Sequence, residues 1–154
     1  VLLAAALKIG AMLGGASDED AQKLYDFGVK IGLAFQLQDD WLDVYGDPKV
    51  FGKNIGGDIL CNKKTYMLIT ALEEANEEQR TVLEGWLAAH DYVPAEKIAA
   101  VTALYNEIGV GKRCQEMAEA LNAEGFAILD SINLPEERKA VLKKYACSML
   151  NRNV

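Results

Sequence analysis

Apolar residues recur at three- and four-residue intervals almost throughout the chain, and no segment shows the apolar–polar alternation of a half-buried strand. The pattern predicts an all-α protein. A first helix is expected over residues 1–13, stopped by Gly14-Gly15, and a second from Ser17 to about Tyr45, with Ser17 as its cap and Asp20 as the acidic partner three residues on. Further helices are expected over residues 62–75, 76–89, 94–108, 111–132 and 135–150. Asn76 is a favourable N-cap, and Pro94 and Pro135 fall where a first helical turn tolerates proline. Between the second and third helices, residues 46–61 form a loop with glycines at 46, 52, 56 and 57, more than a simple connection requires.

The second helix departs from the usual one-sided pattern. At about 100° per residue, Gly32, Gln36, Asp39, Asp40 and Asp43 share an arc of roughly 100°. Lys23, Lys30 and Gln38 lie on the opposite side. Two apolar flanks separate these faces, one with Leu24, Phe27, Ile31, Phe35 and Leu42, the other with Leu33, Leu37 and Val44. An acidic stripe walled by hydrophobics on both sides is expected to face inward. Asp39 and Asp43 are like charges four apart on a helix, which costs about 0.2–0.5 kcal/mol even when exposed. Burial raises that cost, and a bound cation removes it by using the carboxylate oxygens as ligands.

An EF-hand loop is excluded by Trp41 and by the lack of oxygen ligands at alternate positions, and a di-iron bundle by the lack of Glu-x-x-His pairs around the single His90. Mg²⁺ fits better, since it binds through one or two carboxylates and keeps waters and phosphate oxygens. Downstream, Lys63 and Lys64 are expected in the first turn of the third helix, where cations oppose the helix dipole. Free N–H groups at a helix start, glycines and lysines together make an anion site.

Charge and cysteine content narrow the partners. Sixteen Lys and Arg against twenty-three Asp and Glu give −7, which argues against nucleic acid. Three widely spaced cysteines, without CxxC or a neighbouring histidine, indicate neither a disulfide framework nor a zinc site, and a reduced cytoplasmic protein is expected. No apolar run approaches the roughly 20 residues of a membrane span. The chain opens on Val1 in mid-helix pattern, as expected of a piece of a longer protein. It is read as one all-α unit over residues 1–154.

Phe35-Gln36-x-x-Asp39-Asp40-x-x-Asp43, then Gly52-Lys53, Gly56-x-Asp58 and Lys63-x-Thr65, resemble the second aspartate-rich motif and following loop of trans-prenyl diphosphate synthases. Farnesyl and geranylgeranyl diphosphate synthases are the members it looks most like. The match is dense over residues 32–65. The resemblance implies the C-terminal part of an isoprenoid synthase helical bundle, acting as a homodimer at full length. It also implies Mg²⁺-assisted ionisation of an allylic diphosphate, whose cation is attacked by the double bond of isopentenyl diphosphate. On this reading Asp39, Asp40 and Asp43 serve the metal, Lys53 contacts the departing diphosphate, and Phe35 and Gln36 line the site near the cation. Asp58 and Lys63 organise the loop and the site mouth. The family's first aspartate-rich motif has no counterpart in these residues, so the chain alone is expected to be inactive. Two alternatives remain at this level, a terpene cyclase and a non-catalytic subunit that redirects an active prenyl synthase.

Overall fold

The computed structural model describes residues 1–47 and 55–150. Among them are eight helices: α1 (Leu2–Leu13), α2 (Asp18–Tyr45), α3 (Gly57–Leu60), α4 (Tyr66–Glu74), α5 (Glu77–Ala88), α6 (Pro94–Ile108), α7 (Val110–Asp130) and α8 (Glu136–Leu150). No strand occurs among the described residues. The described residues divide into two compact units, one of residues 1–36 and 117–150, the other of residues 37–116. Both α2 and α7 contribute residues to each.

In the first unit, Leu24, Phe27, Ile31 and Ala34 of α2 are buried with Leu129, Ile132 and Ala146, and Phe35 and Phe126 pack against them half-buried. The leucine, isoleucine and phenylalanine side chains contribute about 1.5–3 kcal/mol each when fully buried. These residues of α2 follow the helical repeat, which is why one sequence stripe becomes one core. Gly28 permits the close approach of α1: a Cβ there would sit 2.7 Å from the Cα of Ala4. The Gly28-x-x-x-Gly32 spacing is thus used at Gly28 for packing within the chain. Ser17 caps α2 as expected, its Oγ accepting from the Asp20 N–H at 3.1 Å.

In the second unit, α6 packs against α3, α4 and α5. Lys97, Val101, Leu104 and Tyr105 form its buried stripe. Pro94 opens α6, where its missing N–H has no helical partner to lose. Asn76 and Gln79 close a reciprocal capping box at the start of α5. Thr65 caps α4, its Oγ1 accepting from the Leu68 N–H at 3.2 Å. Lys63 and Lys64 therefore precede the α4 cap rather than occupying its first turn. Residues 46–61 are not wholly loop either, since residues 57–60 make one helical turn. Trp41 of α2 is half-buried and tilted against Tyr45 with ring centroids 5.2 Å apart.

Candidate functional site

The last two turns of α2 carry Asp39, Asp40 and Asp43 into the second unit. Asp40 is buried, with 5% of its surface exposed, while Asp39 and Asp43 are half-buried. The acidic stripe does turn inward, most fully at its middle residue.

The segment around α3 folds back on these carboxylates through both backbone and side chains. The Gly56 N–H donates to the Asp43 carbonyl at 2.6 Å, and the Asp58 N–H donates to Asp43 Oδ2 at 2.9 Å. A Cβ added at Gly57 would lie 3.4 Å from Asp43 Oδ1, so the backbone passes close to the carboxylate. Lys63 Nζ bridges two acids, Asp40 Oδ1 at 2.9 Å and Asp58 Oδ2 at 2.7 Å. Aspartates separated by 18 positions in sequence are joined here by one ammonium.

The electrostatics of the cluster follow from this layout. Burial pushes the Asp43 carboxyl above its ordinary value, and the charges of Asp58 and Asp39 push the same way. The Asp58 N–H and Lys63 oppose that rise. Lys63 is held above the ordinary lysine value, first by its hydrogen bond to Asp58 and then by Asp40. A cation placed beside Asp43 would restore its charged form.

Carboxylate oxygen is the donor type that hard Mg²⁺ selects, and one or two such ligands suffice. Asp39 and Asp43, one turn apart on α2, fit that need. Asp40 is paired with Lys63, and among the described residues no three acidic, histidine or cysteine side chains converge as a preformed metal cluster.

Of the other residues singled out in sequence, Asp58 and Lys63 join the cluster directly. Gln36 is exposed on α2, and Phe35 packs against the core of the first unit. Lys53 and Gly52 lie outside the described residues. Sequence reasoning passed over Asn62 and Lys97, which are hydrogen-bonded to each other at 2.7 Å. The available signal was a lysine at position 97 in the same helical stripe as Val101 and Leu104, where an apolar residue is expected.

Residues 1–108 match the sequence model of polyprenyl synthetases. The chain belongs to the polyprenyl synthetase family. It is 36% identical over 143 residues to a short chain isoprenyl diphosphate synthase of Methanothermobacter thermautotrophicus, covering 93% of this chain and 40% of that protein. It is 35% identical over 144 residues to a geranylgeranyl diphosphate synthase of Methanosarcina mazei, covering 83% and 44%. Among solved structures, a geranylgeranyl pyrophosphate synthase superposes with a TM-score of 0.89 at 32% identity, over 100% of this chain and 48% of that one. A geranylgeranyl pyrophosphate synthase of Corynebacterium glutamicum, complexed with isoprenyl diphosphate and magnesium, gives 0.81 at 33% identity, over 94% and 41%. This polyprenyl synthetase chain spans less than half the length of these relatives.

Proposed function

We propose that the protein carrying this chain is a trans-prenyltransferase that joins an allylic diphosphate to isopentenyl diphosphate, and that Asp39, Asp40 and Asp43 serve Mg²⁺ in the reaction, directly or through metal-bound water. The observation that carries this reading is the meeting of the Asp39-Asp40-x-x-Asp43 face of α2 with the glycine segment and Lys63. Family membership supports the reaction class. The magnesium and isoprenyl diphosphate bound by the C. glutamicum relative support the metal and the ligand type.

Bound Mg²⁺ supplies positive charge that neutralises the diphosphate as it departs. Lys63, which donates to Asp40 and Asp58, would offset part of the carboxylate charge that remains beside the metal. The Asp58 N–H fixes the orientation of Asp43, leaving Oδ1 as its second acceptor. Lys53 is assigned to the departing diphosphate, Lys63 and Asp58 to the site mouth, and Phe35 and Gln36 to the surroundings of the allylic cation. The allylic C–O bond breaks with its electron pair leaving on the diphosphate. The isopentenyl double bond then forms the new C–C bond, and loss of a proton restores the alkene. The enzyme is further proposed to be a cytoplasmic homodimer.

The test is condensation of the two diphosphates by the full-length protein and its Asp39→Ala variant. Loss of about 10²-fold or more in kcat is expected on removing a metal-holding carboxylate, on the scale of losing one transition-state electrostatic contact. Full activity in Asp39→Ala would contradict the assignment of Asp39 to the metal, and activity that needs an added partner but not Asp39 would point to a non-catalytic subunit. The 154 residues alone, with one aspartate-rich motif, are proposed to be inactive, and product formation by them would contradict that.

A further inference from the structure

Lys97 is the largest fully buried side chain among the described residues. Its Nζ donates to Asn62 Oδ1 at 2.7 Å and lies 4.4 Å from the centroid of the Tyr92 ring. No ion pair among the described residues involves it. Withdrawing an amine from water against one amide oxygen and a ring face is costly, and a cation near the start of a helix also opposes the dipole. Methionine would fill the same space without either penalty. The lysine therefore has to be explained by what it holds.

Its acceptor is Asn62, the one non-glycine residue with a left-handed backbone among the described residues, at φ 51°. Asn62 directly precedes Lys63, and its Nδ2 is anchored in turn on the Leu87 carbonyl at 3.0 Å. The next residue of α6 does the same for the other end of the segment. Ile98 fills the space beside Gly56, where φ is 84° and a Cβ would come within 2.7 Å of its side chain. Consecutive residues of α6 thus hold the two left-handed positions that bracket Asp58, and the second of them sets the direction in which Lys63 leaves the backbone.

We infer that Lys97 is a positioning residue, which acts through Asn62 to fix the 56–63 segment so that Lys63 reaches Asp40 and Asp58. The inference rests on the reading of this cluster as the metal and diphosphate site. Asn62, Lys63, Lys97 and Tyr105 together line a cavity of ≈ 10 Å³.

The test uses Lys97→Met, Asn62→Gly, which keeps the left-handed backbone accessible but removes the acceptor, and the double variant, each in the full-length protein. Amide exchange at Asp58, Asn62 and Lys63 is expected to accelerate about 10-fold in all three variants, while α2 keeps its protection. The Mg²⁺ concentration giving half-maximal condensation is expected to rise about 10-fold in each single variant and about 10-fold, not 100-fold, in the double, because one contact is being broken. Leu83→Ala, a core substitution on α5, controls for stability and should leave that concentration within about twofold at a comparable loss of Tm. Unchanged exchange in Lys97→Met would overturn the latch. Faster exchange with an unchanged Mg²⁺ requirement, a shift equal to that of Leu83→Ala, or multiplication in the double variant would overturn its role in positioning the site. A wild-type protein with no Mg²⁺-dependent condensation would overturn instead the site reading on which the inference stands.

Discussion

Lys63 Nζ donates to Asp40 Oδ1 at 2.9 Å, tying the segment before α4 to the buried centre of the acidic stripe on α2. Asp40 is almost wholly removed from water whereas Lys63 is 44% exposed, so the two partners contribute unequally. Losing the pairing costs the buried acid more than the exposed lysine. The lysine can return to solvent at little cost.

That asymmetry predicts a sign pattern in a double-mutant cycle. Lys63→Met should destabilise the fold by about 1–2 kcal/mol, because a buried acceptor loses a charged donor. Adding Asp40→Asn should recover at least about half of that loss, since an amide costs less to bury than a carboxylate. Because the folded state holds Lys63 above its ordinary 10.5, the pair's contribution is fully present below that value. It is lost as pH rises past it. Urea unfolding of the four proteins at pH 7 and at alkaline pH measures both statements, and additive losses would contradict the pairing.

Asp43 should behave in the opposite way to a salt-bridged acid. Its folded-state value is raised, chiefly by burial, so protonation favours the fold and stability is lost as pH rises from the ordinary 3.8 through the raised value. Asp43→Asn should therefore stabilise the protein at pH 7, by about 0.2–0.5 kcal/mol from relief of the Asp39 charge four residues away. The gain should vanish in acid. Thermal unfolding from pH 3 to pH 8 checks this, and the same variant should lose condensation activity.

Gly56→Ala meets two obstacles, a left-handed φ of 84° and the Ile98 side chain 2.7 Å from the added carbon. The backbone conformation alone costs about 1–2 kcal/mol for a residue with a Cβ. Pairing it with Ile98→Ala should remove the clash and leave the conformational part. Chemical unfolding of the single and double variants separates the two contributions.

The helical repeat made most of this fold legible. Residues 94–108 were expected to be helical and α6 has those bounds, and α2 ends at Tyr45, because apolar spacing and capping residues act locally. The segment before α4 was less legible. Thr65 adopts an extended backbone at φ −74° and ψ 164° and caps the helix itself, which leaves Lys63 outside it and free to span two acids. The turn of α3 is too short to show a period. Leu33, assigned by its position to an apolar flank, is 49% exposed, while Lys97, charged and sited in an apolar stripe, is fully buried. In the second case tertiary hydrogen bonding to Asn62 and the face of Tyr92 outweighs side-chain type, and neither partner is adjacent in sequence.

The most direct test of the metal and diphosphate reading is calorimetric titration of the full-length protein with Mg²⁺ and inorganic pyrophosphate, each in the presence and absence of the other. Mutually dependent binding is predicted, with each ligand tightening the other by about 10-fold or more, and Asp39→Ala should abolish the dependence. Independent binding, or a dependence that survives Asp39→Ala unchanged, would contradict the assignment of the α2 carboxylates.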